Sequence, residues 1–122
     1  MRVLVVDDSP AVRARVVADV REIRGLEVVG EAADGATALA QIAKLEPDVV
    51  VLDLRLPDMS GLDLLPKIKA RPSAPRVVVL TNHGEDRYRS ECFVRGADAF
   101  VDKAAPFSAL LTAIMAESSD DR

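Results

Sequence analysis

The chain has 122 residues, 49% of them apolar and 30% charged, with a net charge of −4 and one cysteine. This is the length of one domain with apolar content enough for a true core, so it needs neither a disulfide nor a metal to fold. The acid surplus disfavours direct nucleic-acid binding by this domain, and no stretch approaches the roughly 18 apolar residues of a membrane span.

The opening MRVLVVDD carries an apolar run too short for a signal peptide. With Cys92 alone, no internal disulfide can form. Both features fit a soluble protein of the reducing cytoplasm. Aromatics make up only 3%, so Val, Leu, Ile and Ala must build the core.

In chain order, Val3–Val6 reads as a strand. A helix follows over Pro10–Arg24, with Val12, Val16, Val20 and Ile23 at helical spacing. Ser9 is its N-cap, Pro10 lies in its first turn and Gly25 closes it. Glu27–Ala32 is the second strand and Asp34-Gly35 the turn after it. A helix over Ala36–Leu45 then runs until Pro47 stops it. Asp48–Leu52 is the third strand and Leu62–Ala70 the third helix. Pro66 lies inside that helix and is tolerable only in a first turn, which points to Asp63 as the N-cap. Arg76–Leu80 is the fourth strand, and Glu85–Arg95 a helix with a blurred apolar face, ended by Gly96. Ala99–Val101 is the fifth strand. Phe107, Leu110, Leu111, Ile114 and Met115 mark the last helix. Residues 1–117 form the domain and 118–122 a polar tail.

Strands such as VLVV and VVVL are apolar without alternation, which marks a parallel sheet covered on both faces. Right-handed crossovers place helices on both sides. The fold class is therefore doubly wound α/β, with five strands and five helices.

In such sheets ligands bind beyond the carboxyl ends of the strands. Asp7 and Asp8 follow the first strand, Asp53 the third, Thr81 the fourth and Lys103 the fifth. The second strand ends in Ala32-Ala33, with no reactive group. Three carboxylates crowded together repel strongly unless a hard divalent cation such as Mg²⁺ relieves them. Lys103 offers a movable point charge for a phosphate oxygen, and the Thr81 hydroxyl offers a donor. Together these groups describe phosphoryl-transfer chemistry. Asp53 stands apart from the Asp7-Asp8 pair and is the candidate nucleophile for an aspartyl phosphate.

The chain resembles, from end to end, a response-regulator receiver domain (CheY-like) of bacterial two-component systems. The matching residues are Asp7-Asp8 in VVDDS and Asp53 in VVLDLRLPDMSG, with Pro57 and Gly61 spaced behind it. Thr81 in VVVLTN and Lys103 after GADAFVDK complete the set. The resemblance implies strand order 2-1-3-4-5 and phosphoryl transfer to Asp53 from a sensor histidine kinase or a histidine phosphotransfer protein. Asp8 would ligate Mg²⁺ directly and Asp7 through water, with Asp53 and the backbone carbonyl of Arg55 as further ligands. Thr81 and Lys103 would hold the phosphoryl oxygens. Thr81 and the aromatic Phe100 would move on phosphorylation and reshape the face made by the fourth helix, fifth strand and fifth helix. That face would control an output domain or partner, with a phosphorylation-dependent homodimer as one outcome.

Two positions depart from the commonest family pattern. Ala104 stands where most receivers have proline after the lysine, so no cis peptide is expected there. That absence is a weak link to the subfamily with helix-turn-helix output domains. Arg55 and His83 occupy the two places that tune loss of the phosphoryl group, and they are expected to restrict the attacking water. The first-helix arginines, Arg13, Arg15, Arg21 and Arg24, read as a solvated face, with kinase docking as the alternative.

Two rival functions share this fold. An Asp-nucleophile phosphohydrolase usually carries a second acid shortly after the nucleophile, where this chain has Arg55, and it needs a lid. A non-phosphorylated interaction module would have lost an acid, the Thr or the Lys, and none is lost. No effector domain follows the last helix, so the sequence reads as a stand-alone regulator or a receiver cut from a longer protein.

Overall fold

The structure is a computed structural model that describes residues 1–82 and 85–116. The strands β1 (Arg2–Val6), β2 (Glu27–Ala32), β3 (Val49–Leu52), β4 (Arg76–Thr81) and β5 (Ala99–Asp102) form one sheet. Its order is β2-β1-β3-β4-β5 and each pairing is parallel, as the sequence reading expected. The helices are α1 (Pro10–Arg21), α2 (Gly35–Leu45), α3 (Gly61–Lys69), α4 (Arg89–Val94) and α5 (Phe107–Met115). No helix among the described residues is long and apolar enough to cross a membrane. The polar tail at 118–122 lies outside the described residues.

Side chains alternate across a strand, so each apolar run supplies two cores. Leu4, Val6, Val50, Leu52, Val77 and Val79 face one side, where Ile42 of α2 and Leu64, Leu65 and Ile68 of α3 cover them. Val3, Val5, Val49, Val51, Val78 and Leu80 face the other, under Val16, Val17 and Val20 of α1 and Leu110 and Ile114 of α5. All of these are buried. Continuous Val and Leu runs are therefore a requirement of a sheet sandwiched between two helix layers.

Three local expectations are corrected. First, α3 begins at Gly61 with Ser60 as N-cap, whose hydroxyl accepts the Leu62 N–H; Asp63 is not the cap. Pro66 consequently sits in the helix body, where its missing N–H orphans the Leu62 carbonyl. Arg95 supplies the replacement: its Nη1 donates to that carbonyl at 3.0 Å, while its Nε donates to Glu91 at 2.7 Å. Second, the fourth helical segment is broken. A 3₁₀ turn at Asp86–Tyr88 precedes a six-residue α4 whose buried residue is Cys92. Burial, with Glu85 and Glu91 near it, pushes the Cys92 thiol up to about 11, as suits an inert core residue. Third, α1 stops at Arg21, and Gly25 lies in the following turn with a left-handed φ of 93°.

Candidate functional site

The parallel register brings all the strand carboxyl ends to one edge. Val6 pairs with Leu52, and Leu52 with Val79, so the residues just past β1 and β3 stand side by side, next to the last residues of β4. There the carboxylates of Asp7, Asp8 and Asp53 converge, with one oxygen from each lying within 4.8 Å of the others. Asp7 and Asp53 are each only 2% exposed, whereas Asp8 faces solvent. Lys103 Nζ, arriving from the far side of β5, lies 2.9 Å from Asp7 Oδ2 and 3.4 Å from Asp53 Oδ2.

The charge balance at this edge is incomplete. Burial, and then the neighbouring Asp7 charge, raises the Asp53 carboxyl from its ordinary 3.8 to about 6, against the opposing pull of Lys103 and the Arg55 N–H. Burial alone would lower the Lys103 ammonium. The close contact with Asp7 and the fields of Asp53 and Asp7 outweigh it and leave Lys103 raised. Asp7 Oδ2 is buried and has the lysine charge beside it, yet it accepts no well-aligned hydrogen bond. A buried carboxylate oxygen with spare acceptor capacity, in a cluster of three acids served by one lysine, fits a hard divalent cation such as Mg²⁺.

The loops holding these groups are fixed by bonds to backbone. Asp7 Oδ1 accepts the Ser9 N–H at 2.9 Å, and Asp53 Oδ1 accepts the Arg55 N–H at 3.2 Å. Arg13 donates to the Asp7 carbonyl at 2.6 Å and Arg15 to the Lys103 carbonyl at 3.2 Å. Both arginines thus reach site loops; Arg13 is half-buried, which corrects its reading as solvated face, whereas Arg15 is exposed as that reading expected. Asp102 Oδ1 accepts the Ala104 N–H at 2.7 Å, a turn that a proline at 104 could not make. The backbone has no cis peptide among the described residues.

Two residues that local spacing did not single out organise the loop after Asp53. Asp58 reaches across to the start of α2, where its two oxygens accept the Gly35 and Ala36 N–H groups at 2.8 and 2.9 Å. Those bonds hold its carboxyl below the usual carboxylate range. Glu85, 2% exposed, accepts the Asn82 N–H at 2.8 Å and pairs with Arg55 Nε at 3.0 Å. An acid buried so deeply leaves no sequence signal; its partners, the Asn82 N–H and an arginine 30 residues away, explain it.

Gly61 explains a third feature of the loop. A Cβ there would stand 2.7 Å from the Leu54 Cα and 2.8 Å from the Asp53 carbonyl oxygen, both of them backbone atoms. Gly61→Ala should therefore displace the Asp53 loop and destabilise the domain by about 1–3 kcal/mol. Thermal melting checks this, and an unchanged Tm would contradict the close approach.

Thr81 is buried and ends β4, and its hydroxyl donates to the Val101 carbonyl at 3.5 Å, so it is directed toward β5. Phe100, on β5, is half-buried against the core, with the Arg89 guanidinium 5.5 Å from its ring. The Arg55 side chain is 71% exposed and turned to Glu85. His83 lies outside the described residues.

Comparison with known proteins gives the family to which this fold belongs. The family profile of the response regulator receiver domain matches residues 3–115. A putative transcriptional regulator of Pseudomonas aeruginosa is 37% identical over 94% of this chain and 55% of its own length. A protein-glutamate methylesterase/protein-glutamine glutaminase of Myxococcus xanthus is 46% identical over 70% of this chain and 25% of its own. Among solved structures, the receiver domain of the putative response regulator NarL from Mycobacterium tuberculosis superposes with a TM-score of 0.83 at 32% identity, over 94% of this chain and 97% of that one. The response regulator domain of Thermotoga maritima CheB gives 0.80 at 29% identity, over 93% and 87%. The chain belongs to the response regulator receiver domain family, the switch modules of phosphorelay signalling. It spans between a quarter and just over half of the curated relatives named here.

Proposed function

We infer that Asp53 is the phosphoryl acceptor of this receiver domain. The observation that carries the reading is a buried carboxylate at a strand's carboxyl end, 3.4 Å from a lysine ammonium and beside two further acids. In the forward step an Asp53 oxygen attacks phosphorus. The new P–O bond forms as the P–N bond to the donor's phosphohistidine breaks, and the imidazole leaves with the electron pair and takes a proton. Lys103 neutralises the phosphoryl oxygens, and the Thr81 hydroxyl donates to one of them after turning from Val101. Return to the resting state is attack of water on phosphorus, releasing inorganic phosphate and the free carboxylate.

Asp7, Asp8, Asp53 and the Arg55 carbonyl would hold Mg²⁺. When bound, it supplies neutralisation of the acid cluster and of the transferring phosphoryl group. Burial favours protonated Asp53, so a cation that takes up its negative charge also keeps the nucleophile ionised near neutral pH.

The donor is a sensor histidine kinase or a histidine phosphotransfer protein, in the cytoplasm. The output runs through the face of α4, β5 and α5, with Thr81 and Phe100 as its moving parts. Incubation with Mg²⁺ and acetyl phosphate, followed by intact mass measurement, tests the acceptor. The expected result is one added phosphoryl group on the native chain and none on Asp53→Asn. An adduct that persists in the variant, or none in either, overturns the assignment.

A further inference from the structure

Glu85 is the one nearly inaccessible acid outside the Asp7–Asp53 cluster among the described residues. Its carboxylate has two partners, the Asn82 N–H and Arg55 Nε, and the cation is on an exposed side chain. A pair with one member in water is weakly held, because solvent screens it. Glu85 nevertheless stays in place, and it holds the residue directly after Thr81 by the backbone. The Arg55 backbone, meanwhile, is already bonded to the Asp53 carboxylate at 3.2 Å. Arg55 is therefore tied to Asp53 by its backbone and to Glu85 by its side chain.

Building on the assignment of Asp53 as acceptor, we propose that Glu85 is a positioning residue that parks Arg55 away from Asp53 and yields it to the phosphoryl group. A phosphoryl group brings nearly two negative charges and three strong acceptor oxygens to Asp53. Arginine matches such oxygens in bidentate fashion, so the guanidinium leaves Glu85 for them. The exchange has two consequences. It shields the phosphorus from water and lengthens the life of the acyl phosphate. It also leaves Glu85 buried without its cation, which loosens its hold on Asn82 and thereby frees the end of β4 at Thr81. Arg55 thus links the acceptor to the switch strand through charge.

The test compares the native chain with Glu85→Gln, which keeps the shape and an acceptor for Asn82 but not the charge. Arg55→Gln and the double variant complete a cycle. After acetyl phosphate and Mg²⁺ are removed, intact mass follows decay of the adduct. Glu85→Gln should slow decay at least threefold, Arg55→Gln should speed it, and Glu85→Gln should have no effect once Arg55 is gone. The Arg55 Nε–H resonance gives a second readout that a merely structural role would not move. It should shift when beryllofluoride binds the native chain, and already be displaced in resting Glu85→Gln. Adducts that form normally with equal lifetimes and an Arg55 resonance unmoved by beryllofluoride overturn this proposal alone. Absence of any adduct on the native chain overturns it together with the acceptor assignment.

Discussion

Asp53→Asn should make the Mg²⁺-free domain more stable at pH 7.5 while abolishing phosphoryl uptake. The Asp53 carboxyl is raised from 3.8 to about 6 by burial and by Asp7, so the ionised form is disfavoured by folding. The sign is opposite to that of an ordinary paired carboxylate. Below pH 3.8 Asp53 is protonated in both folded and unfolded chains and has no effect. The penalty develops as pH rises from 3.8 to about 6 and is complete above that. Its size at neutral pH is about 3 kcal/mol, at roughly 1.4 kcal/mol per tenfold change in proton affinity. Asparagine also gives up the favourable contact with Lys103, which leaves a net gain of about 1–3 kcal/mol, or roughly 5–10 °C in Tm. Melting curves between pH 3.5 and 8 should converge at the acid end. Mg²⁺ should stabilise the native chain and have a much smaller effect on the variant. A variant less stable than the native chain at pH 7.5 would refute the account of charge at this edge.

The opposite result is expected at Lys103. Lys103→Gln removes the only cation within 4 Å of the Asp7 and Asp53 carboxylates among the described residues. Both acids are nearly inaccessible, so the loss exposes a buried repulsion, at a cost of about 3 kcal/mol in the absence of Mg²⁺. The raised pKa of Lys103 adds no pH dependence in the useful range. Its contribution is fully present below the ordinary lysine value of 10.5 and is lost only as pH rises through the still higher folded value. The pH dependence near neutrality therefore belongs to Asp53, whose carboxyl should titrate above 6 once the lysine is gone. The destabilisation should accordingly shrink as pH falls toward 4. Added Mg²⁺ should restore more stability to the variant than it adds to the native chain. In the Asp53→Asn background the same lysine substitution should cost much less, because one of the two anions is already absent. Phosphoryl uptake from acetyl phosphate should fall by roughly 10–100-fold, the equivalent of about 1.4–2.7 kcal/mol in the barrier. An additive double variant, or uptake at the native rate, would contradict the role given to Lys103.

The fold and the acid–lysine edge are legible in the linear chain for one reason. A parallel strand buried on both faces must be apolar throughout, so its end is marked by the first polar residue, and parallel strands deliver all such residues to the same edge. Asp7 and Asp53 each follow a run of that kind directly, and Lys103 comes one residue after the apolar stretch of the edge strand β5. Other features rest on contacts between distant parts of the chain. Pro66 survives in the body of α3 because Arg95, on the far side of β4, serves the carbonyl it orphans. Asp58 fixes the acceptor loop by capping a helix that begins 23 residues earlier. The Arg55 side chain pairs with Glu85, 30 residues away. Local periodicity has no access to such bonds, because they depend on which side chains the finished sheet brings within reach. The architecture and the candidate site groups are thus readable from residue order, because both follow from where the apolar runs end. Only the folded chain shows how their loops are held, because those bonds join residues far apart in sequence.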